Sequence, residues 1–281
     1  MDEDLQQTTF KWNGMVFSGL ACGPDHGPLV VMLHGFPQFA DAWTRVMPVL
    51  AQAGFRVVAF DQRGYASGAR PETVSSYATD ALVEDVLACA NSLGQETFHV
   101  VGHDWGGLLA WRLAARHAQR LRSVAVLSTP HPDAFREALA SDPEQQAKSQ
   151  YIQLFRMPGN VAEGMLLAAD AALLRRVCQD RLQKDQVERN VQRLSEPGAL
   201  TAALNWYRAL KVAEPAGPVS MPALYLWGDQ DLALGRTAAE ATARFITGPY
   251  RFKALEGVSH WILEDAPQSV TDLLLEHLTS A

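Results

Sequence analysis

An aspartate set in a glycine-rich turn is the side chain most suited to nucleophilic chemistry. Asp104 lies in Gly102-His103-Asp104-Trp105-Gly106-Gly107, between an apolar run at 98–101 and a helical run at 108–117. The pattern predicts strand, sharp turn and helix, with Asp104 at the apex. Small neighbours leave room where the two backbones pass close together. A carboxylate with an ordinary pKa of about 4 is already ionised at neutral pH, so it attacks without a base. Its natural targets are saturated carbons bearing a leaving group, such as an epoxide or an alkyl halide. The product is an ester that water must hydrolyse. A blander reading makes Asp104 only the cap of the helix beginning near Trp105. The glycines on both sides of it, following a strand, favour the nucleophile.

Ester hydrolysis requires a base and a site for the oxyanion. Asp104, Asp231 and His260 follow one another in the order nucleophile, acid, histidine, the chain order of an α/β-hydrolase triad. His260 would activate water, and Asp231 would fix its tautomer and stabilise the imidazolium. Asp229 is the rival carboxylate, and Asp231 is preferred. His260 could also be a solvated loop histidine, but its place between the last strand and the last helix counts against that. Backbone N–H groups of Phe36 and Trp105 are the expected oxyanion donors, which leaves both side chains to line an apolar pocket. His34 is expected to be structural, bonded to backbone. His99 and His103 make no metal cluster with the other histidines. The turn at 102–107 is not a dinucleotide fingerprint, and 61–68 is not a phosphate loop. Neither a cofactor nor a metal is expected.

These residues need strands to carry them. Leu29–Leu33 is a continuous apolar run, as in a strand buried on both faces. Further strands are expected at 56–60, 123–127, 223–227 and 250–255, and helices at 42–53, 77–93, 236–245 and 267–278. Asn13-Gly14 between 10–12 and 15–17 predicts a hairpin. Alternating strands and helices imply a mainly parallel sheet covered on both faces. The site then lies beyond the carboxyl ends of the strands. His34, Asp61 and Asp104 all follow strands and should face one crevice. From 132 to 218 helical pattern dominates, bracketed by Pro130, Pro132, Pro215 and Pro218. The expected organisation is an α/β core at 1–131, a helical cap at 132–218 and a second part of the core at 219–281.

Composition narrows the setting. A chain of 281 residues accommodates one large α/β core with an insert. No apolar run reaches the ~18 residues of a membrane span, and the acidic, polar stretch 1–7 does not read as a signal peptide. A net charge of −7 argues against nucleic acid as a partner. Cys22, Cys89 and Cys178 are too few and too scattered for a disulfide framework. They read as buried or idle thiols in a reducing cytoplasm.

Several motifs together resemble the epoxide hydrolases of the α/β-hydrolase superfamily. They are His34-Gly35-Phe36-Pro37, Asp61-x-Arg63-Gly64-Tyr65, the Asp104 turn, Gly228-x-x-Asp231 and His260-Trp261. The resemblance spans the chain from about residue 10 onward. It implies that two cap tyrosines bind and help protonate the epoxide oxygen. Tyr151-Ile152-Gln153-Leu154-Phe155 and Asn205-Trp206-Tyr207-Arg208 are similar to the two tyrosine motifs, which implicates Tyr151 and Tyr207. The chemistry agrees. An opened epoxide is an alkoxide, a poor leaving group without an acid, and a phenol can supply the proton. Taken singly, each tyrosine would read as a packing residue. Phe36, Trp105, Phe155 and Trp261 suggest a small apolar epoxide.

The rival reading is a haloalkane or haloacetate dehalogenase with the same nucleophile. The haloalkane enzymes resemble His-Gly-Asn-Pro where this chain has Phe36, and the haloacetate enzymes carry arginine where it has Trp105. A silent ligand-binding receptor on the same fold is a third reading, and the complete triad argues against it.

Overall fold

The computed structural model describes residues 5–178 and 181–281. The reading of the opening stretch 1–7 falls in part on residues 1–4, outside the described residues. The chain begins with the hairpin β1 (Gln6–Trp12) and β2 (Met15–Cys22), longer than its central residues suggested. Asn13 and Gly14 take φ of 49° and 75°, the left-handed pair that a tight hairpin turn demands. Alternation follows: β3 (Leu29–Leu33), α1 (Met47–Gln52), β4 (Arg56–Phe60), α2 (Thr79–Ser92), β5 (Phe98–His103), α3 (Trp105–Arg116) and β6 (Leu121–Leu127).

Six helices then precede the next strand: α4 (Pro132–Ser141), α5 (Pro143–Lys148), α6 (Tyr151–Phe155), α7 (Val161–Val177), α8 (Lys184–Leu194) and α9 (Ala199–Ala209). The backbone of α7 breaks at Ala168, and Ala169, Asp170 and Ala171 have positive φ. The α/β pattern resumes with β7 (Ala223–Gly228), α10 (Arg236–Ala241), β8 (Tyr250–Leu255), α11 (Ile262–Asp265) and α12 (Pro267–Ser280).

The eight strands form one sheet in the order β1-β2-β4-β3-β5-β6-β7-β8. From β4 to β8 every pairing is parallel; the first two are antiparallel. Successive side chains of a strand point to opposite faces. Val31 and Leu33 therefore pack with Val86, Leu109 and Leu113 on one face, while Val30 and Met32 pack with Leu50, Val270 and Leu274 on the other. Both faces are dry at β3 and β7, which is why these strands are apolar throughout, whereas the edge strands β1 and β8 keep exposed residues.

Three helices differ from the expectation. The helix expected at 42–53 is a 3-10 turn at Ala40–Trp43 followed by α1. Pro48 lacks an N–H and suits only a helix's first turn, so α1 cannot run through it from residue 42. The helix at 236–245 tightens into a 3-10 turn at Thr242–Phe245. An extra turn, α11, precedes Pro267, which opens α12.

The helical insert between β6 and β7 is tied down at both ends. The Asp133 carboxylate accepts from the N–H groups of Ala216 and Gly217 at 3.1–3.3 Å. The Arg112 guanidinium donates to the carbonyls of Glu214 and Pro215 at 2.6 and 2.9 Å. Over the sheet, Trp206 Nε1 donates to the Arg63 carbonyl at 2.8 Å. Arg63 is itself held by a buried two-pronged pair with Asp85 at 2.6 and 2.8 Å. Such a pair is geometrically specific, so it sets the height at which α9 rests on the core.

Candidate active site

Asp104 occupies the turn between β5 and α3 at φ 54° and ψ −119°. A non-glycine residue in such a conformation carries roughly 1–3 kcal/mol of strain that its surroundings must offset. Thr129 Oγ1 donates to the Asp104 carbonyl at 2.7 Å and braces the turn. A Cβ on Gly102 would stand 2.1 Å from the Gly106 carbonyl oxygen, and one on Gly106 would stand 2.1 Å from that of Leu33. These glycines allow strand and helix to approach closely. Gly35 matters for another reason, one the sequence reading passed over: a Cβ there would lie 2.2 Å from Asp104 Oδ1.

Asp231 follows β7 and His260 follows β8. Since β5 to β8 are parallel, their carboxyl ends bring the three residues to one edge of the sheet. His260 Nδ1 lies 2.8 Å from Asp231 Oδ2, and His260 Nε2 lies 3.5 Å from Asp104 Oδ2. The other Asp231 oxygen accepts from the N–H groups of Ala233 and Leu234 at 2.7 and 2.9 Å. Asp229 does not reach the histidine; its carboxylate accepts from Gly257 N–H at 2.8 Å. The Phe36 N–H donates to Asp104 Oδ1 at 2.8 Å, and the Trp105 N–H also donates to this carboxylate. Both expected oxyanion donors thus converge on the Asp104 carboxylate.

Charge follows from this packing. Burial alone would lower the pKa of His260, but the Asp231 and Asp104 carboxylates outweigh it and raise the imidazole to about 10. Burial alone would raise Asp104, but the bond and charge of His260 hold it below the usual carboxylate range. The resting His260 is therefore a cation facing the Asp104 anion.

Two further residues hold the base in place. His103 Nε2 donates to the His260 carbonyl at 2.9 Å, and Ser128 Oγ donates to the same oxygen at 2.8 Å. Burial keeps His103 neutral, with its pKa lowered to about 4. Ser128 carries no sequence signal, because its partner is a backbone atom 132 residues away. His34 is structural in geometry. Its Nε2 accepts from Gln62 N–H at 3.1 Å, so Nδ1 carries the proton, 3.1 Å from the Gly35 carbonyl.

Neither His34 nor Asp61 lines the cavities at Asp104, contrary to the expectation of one shared crevice. Asp61 instead accepts from Ala40 N–H at 2.9 Å and from the Arg193 guanidinium of α8. An ion-paired carboxylate was more useful between insert and core than in the pocket.

Two cavities meet at Asp104, Tyr151 and Tyr207, which line both. Phe36, Phe155 and Trp261 wall one arm, with His260. Trp105, Leu108, Phe135, Ile152 and Leu210 wall the other, and Arg112 borders it. The four aromatic residues expected at the pocket all line one arm or the other. The Tyr151 and Tyr207 rings stand 6.3 Å apart, edge to face, with Phe155 4.9 Å from Tyr207. Burial, then the Asp104 charge, push both phenols above their usual pKa. Both hydroxyls therefore keep their protons at neutral pH and can donate. A hydrogen bond from the Trp105 side chain acts the other way on Tyr207.

A carboxylate on a sharp strand–helix turn, with a second carboxylate and a histidine after later parallel strands, matches the arrangement of a known family. The family described as alpha/beta hydrolase fold matches residues 28–267. The chain belongs to the α/β-hydrolase superfamily. An AB hydrolase superfamily protein of Bacillus subtilis is 36% identical to this hydrolase, over 95% of each chain. Epoxide hydrolase A of Mycobacterium tuberculosis is 32% identical, again over 95% of each. The crystal structure of epoxide hydrolase A from Mycobacterium thermoresistibile superposes with a TM-score of 0.86 at 28% identity, covering 98% of both chains. Among the described residues of this hydrolase, no helix is long and apolar enough to cross a membrane.

Proposed function

We propose that this hydrolase opens small apolar epoxides to vicinal diols through an ester on Asp104. The observation that carries the reading is the pair of protonated phenols, half-buried Tyr151 and buried Tyr207, sharing both cavities with the Asp104 carboxylate. In the first step Asp104 attacks an epoxide carbon as the C–O bond breaks, and a tyrosine hydroxyl gives its proton to the departing oxygen. The enzyme then holds a hydroxyalkyl ester and a tyrosinate; His260, no longer facing a charged Asp104, gives up its proton, the tyrosinate regains one, and a neutral imidazole is left as the base. In the second step His260 takes a proton from water, and the hydroxide attacks the ester carbonyl. The backbone N–H groups of Phe36 and Trp105 bear the oxyanion. Collapse releases the diol and restores the Asp104 carboxylate. Asp231 orients His260 and stabilises it as a cation. The insert, residues 132–218, acts as a cap that supplies both tyrosines and keeps bulk water from the ester. A halide leaves without a proton, so dehalogenation would leave the two phenols idle.

The test is trapping. In His260→Gln the first step should run and the second should stop, because a neutral amide cannot take the proton from water. Intact-protein mass spectrometry with styrene oxide should show enzyme plus one whole substrate, and peptide mapping should place it on Asp104. A variant that forms no adduct, although the wild type makes diol, would sink the covalent route.

A further inference from the structure

Close to the triad in sequence lies a carboxyl group that epoxide opening does not use. Glu264 belongs to α11, four residues after His260. Its Oε1 accepts from Gln38 Nε2 at 2.7 Å and, more weakly, from Gln186 Nε2 of α8 at 3.3 Å. Gln38 is 1% exposed and follows Phe36 by two residues. Its backbone N–H donates to the Gly35 carbonyl at 2.9 Å and closes the turn that carries the Phe36 N–H. The Glu264 N–H donates to the Trp261 carbonyl at 3.0 Å. One side-chain pair thus ties the loop of an oxyanion donor to the turn that follows the base.

Two oxygens of this same pair are buried without a hydrogen-bond partner among the described residues: Gln38 Oε1 and Glu264 Oε2. A buried acceptor left without a donor is costly. A carboxylic acid and a primary amide are complementary, because the amide N–H meets one carboxyl oxygen while the acid O–H meets the amide oxygen. The 2.7 Å bond is already half of that arrangement. A single proton on Glu264 Oε2 would satisfy both oxygens. The surrounding charges do not replace it. Arg45, Asp41, Asp185 and Arg189 line a polar cavity with Glu264. Arg189 pairs with Asp185 at 2.6 Å and with Asp41 at 3.6 Å, and Arg181 pairs with Asp265 at 3.6 Å. Burial lifts the Glu264 carboxyl to about 7, against the hydrogen bonds from Gln38 and Gln186 and the charge of Arg45.

We infer that Glu264 is a positioning residue for ester hydrolysis: as a neutral acid it grips Gln38 by two hydrogen bonds and so keeps the Phe36 N–H on the oxyanion. The inference rests on the Asp104-ester reading above. Loss of that proton breaks one of the two bonds and sets two oxygens against each other. The grip is therefore complete below the Glu264 pKa and is lost as pH rises through it.

The experiment measures single-turnover hydrolysis of the ester formed from styrene oxide, from pH 5 to 9, in the wild type and in Glu264→Gln. Glutamine can make both bonds as an amide–amide pair and has no proton to lose. The ratio of the variant's rate to the wild type's cancels the titration of His260. It should climb through about pH 7 by roughly two- to tenfold, the range of one hydrogen bond. Gln38→Met removes the partner, so its hydrolysis should trail the wild type by a similar factor at pH 5 and approach it by pH 9. That variant keeps the test if Glu264→Gln does not fold. Carbon-13 NMR of labelled glutamate, with Glu264 assigned by its loss in Glu264→Gln, should show the carboxyl titrating near 7. A flat rate ratio would overturn the positioning role while leaving epoxide opening intact. A Glu264 carboxyl that titrates with ordinary carboxylates would overturn the shared proton. Diol made with no ester on Asp104 would overturn the proposed function itself, and this inference with it.

Discussion

Replacing Asp104 by asparagine should turn His260 from a cation into a base. In the resting site His260 Nε2 lies 3.5 Å from Asp104 Oδ2, and the two carboxylates hold the imidazole pKa at about 10. At that distance a unit charge is worth about 5 kcal/mol at an effective dielectric of ~20, which is about 3.5 in pKa. Asparagine keeps the shape and removes the charge. The His260 pKa in Asp104→Asn should therefore drop to about 6.5, near that of an unperturbed imidazole.

Ester formation on Asp104, as proposed, would neutralise the same carboxylate. The base would then appear only once there is an ester to hydrolyse, and the resting imidazolium could not waste its activity on water. The assay is NMR titration of nitrogen-labelled histidine in both proteins, with His260 assigned through His260→Gln and the asparagine verified by mass. Single-turnover kinetics give the second reading. The alkylation step should stay flat from pH 5 to 9, because Asp104 is held below its usual range and both tyrosines above theirs. Ester hydrolysis should rise with pH through about 6.5 as the imidazolium loses its proton. A His260 midpoint that is the same in both proteins, or one already near 6.5 in the wild type, would refute the charge argument.

Three substitutions test the rest of the site. Tyr151→Phe and Tyr207→Phe should each slow epoxide opening by up to roughly a hundredfold, by analogy with an oxyanion donor worth about 3 kcal/mol, and the double variant should be far slower. Unchanged single-turnover alkylation in the double variant would return both rings to a packing role. Gly35→Ala should cut alkylation by at least roughly tenfold, since misplaced reacting groups cost that much or more. Its Cβ would press on Asp104 Oδ1 from 2.2 Å. Circular dichroism should show the fold kept, and an alanine variant as fast as the wild type would mean that the turn yields without moving the nucleophile.

Local chemistry carries its own signal, and that part was legible in the chain. The apolar runs that became β3 and β4 have the expected bounds, since strands buried on both faces are apolar almost throughout, and the edge strand β8 has its expected bounds on an alternating pattern. Asp104 was readable because its turn demands glycines on both sides. Asp231 and His260 were readable because each follows an apolar strand in a mainly parallel sheet. Pro48 shows where the reading was too coarse: it marks a helix's first turn, so the segment before it folds separately, while the last helix begins at Pro267 as read and only the short α11 before it was missed.

What only the tertiary structure decided depends on groups that meet across distance. Asp231 rather than Asp229 faces the histidine because two backbone N–H groups pin its carboxylate, a detail of loop path and not of residue type. Ser128 and His103 converge on one backbone oxygen of His260, and Arg193 draws Asp61 away from the crevice. Sequence specifies which groups are available and which elements they ride on. Burial and proximity set their charge states and partners, because a carboxylate or guanidinium changes its energetics with every neighbour that displaces water from it.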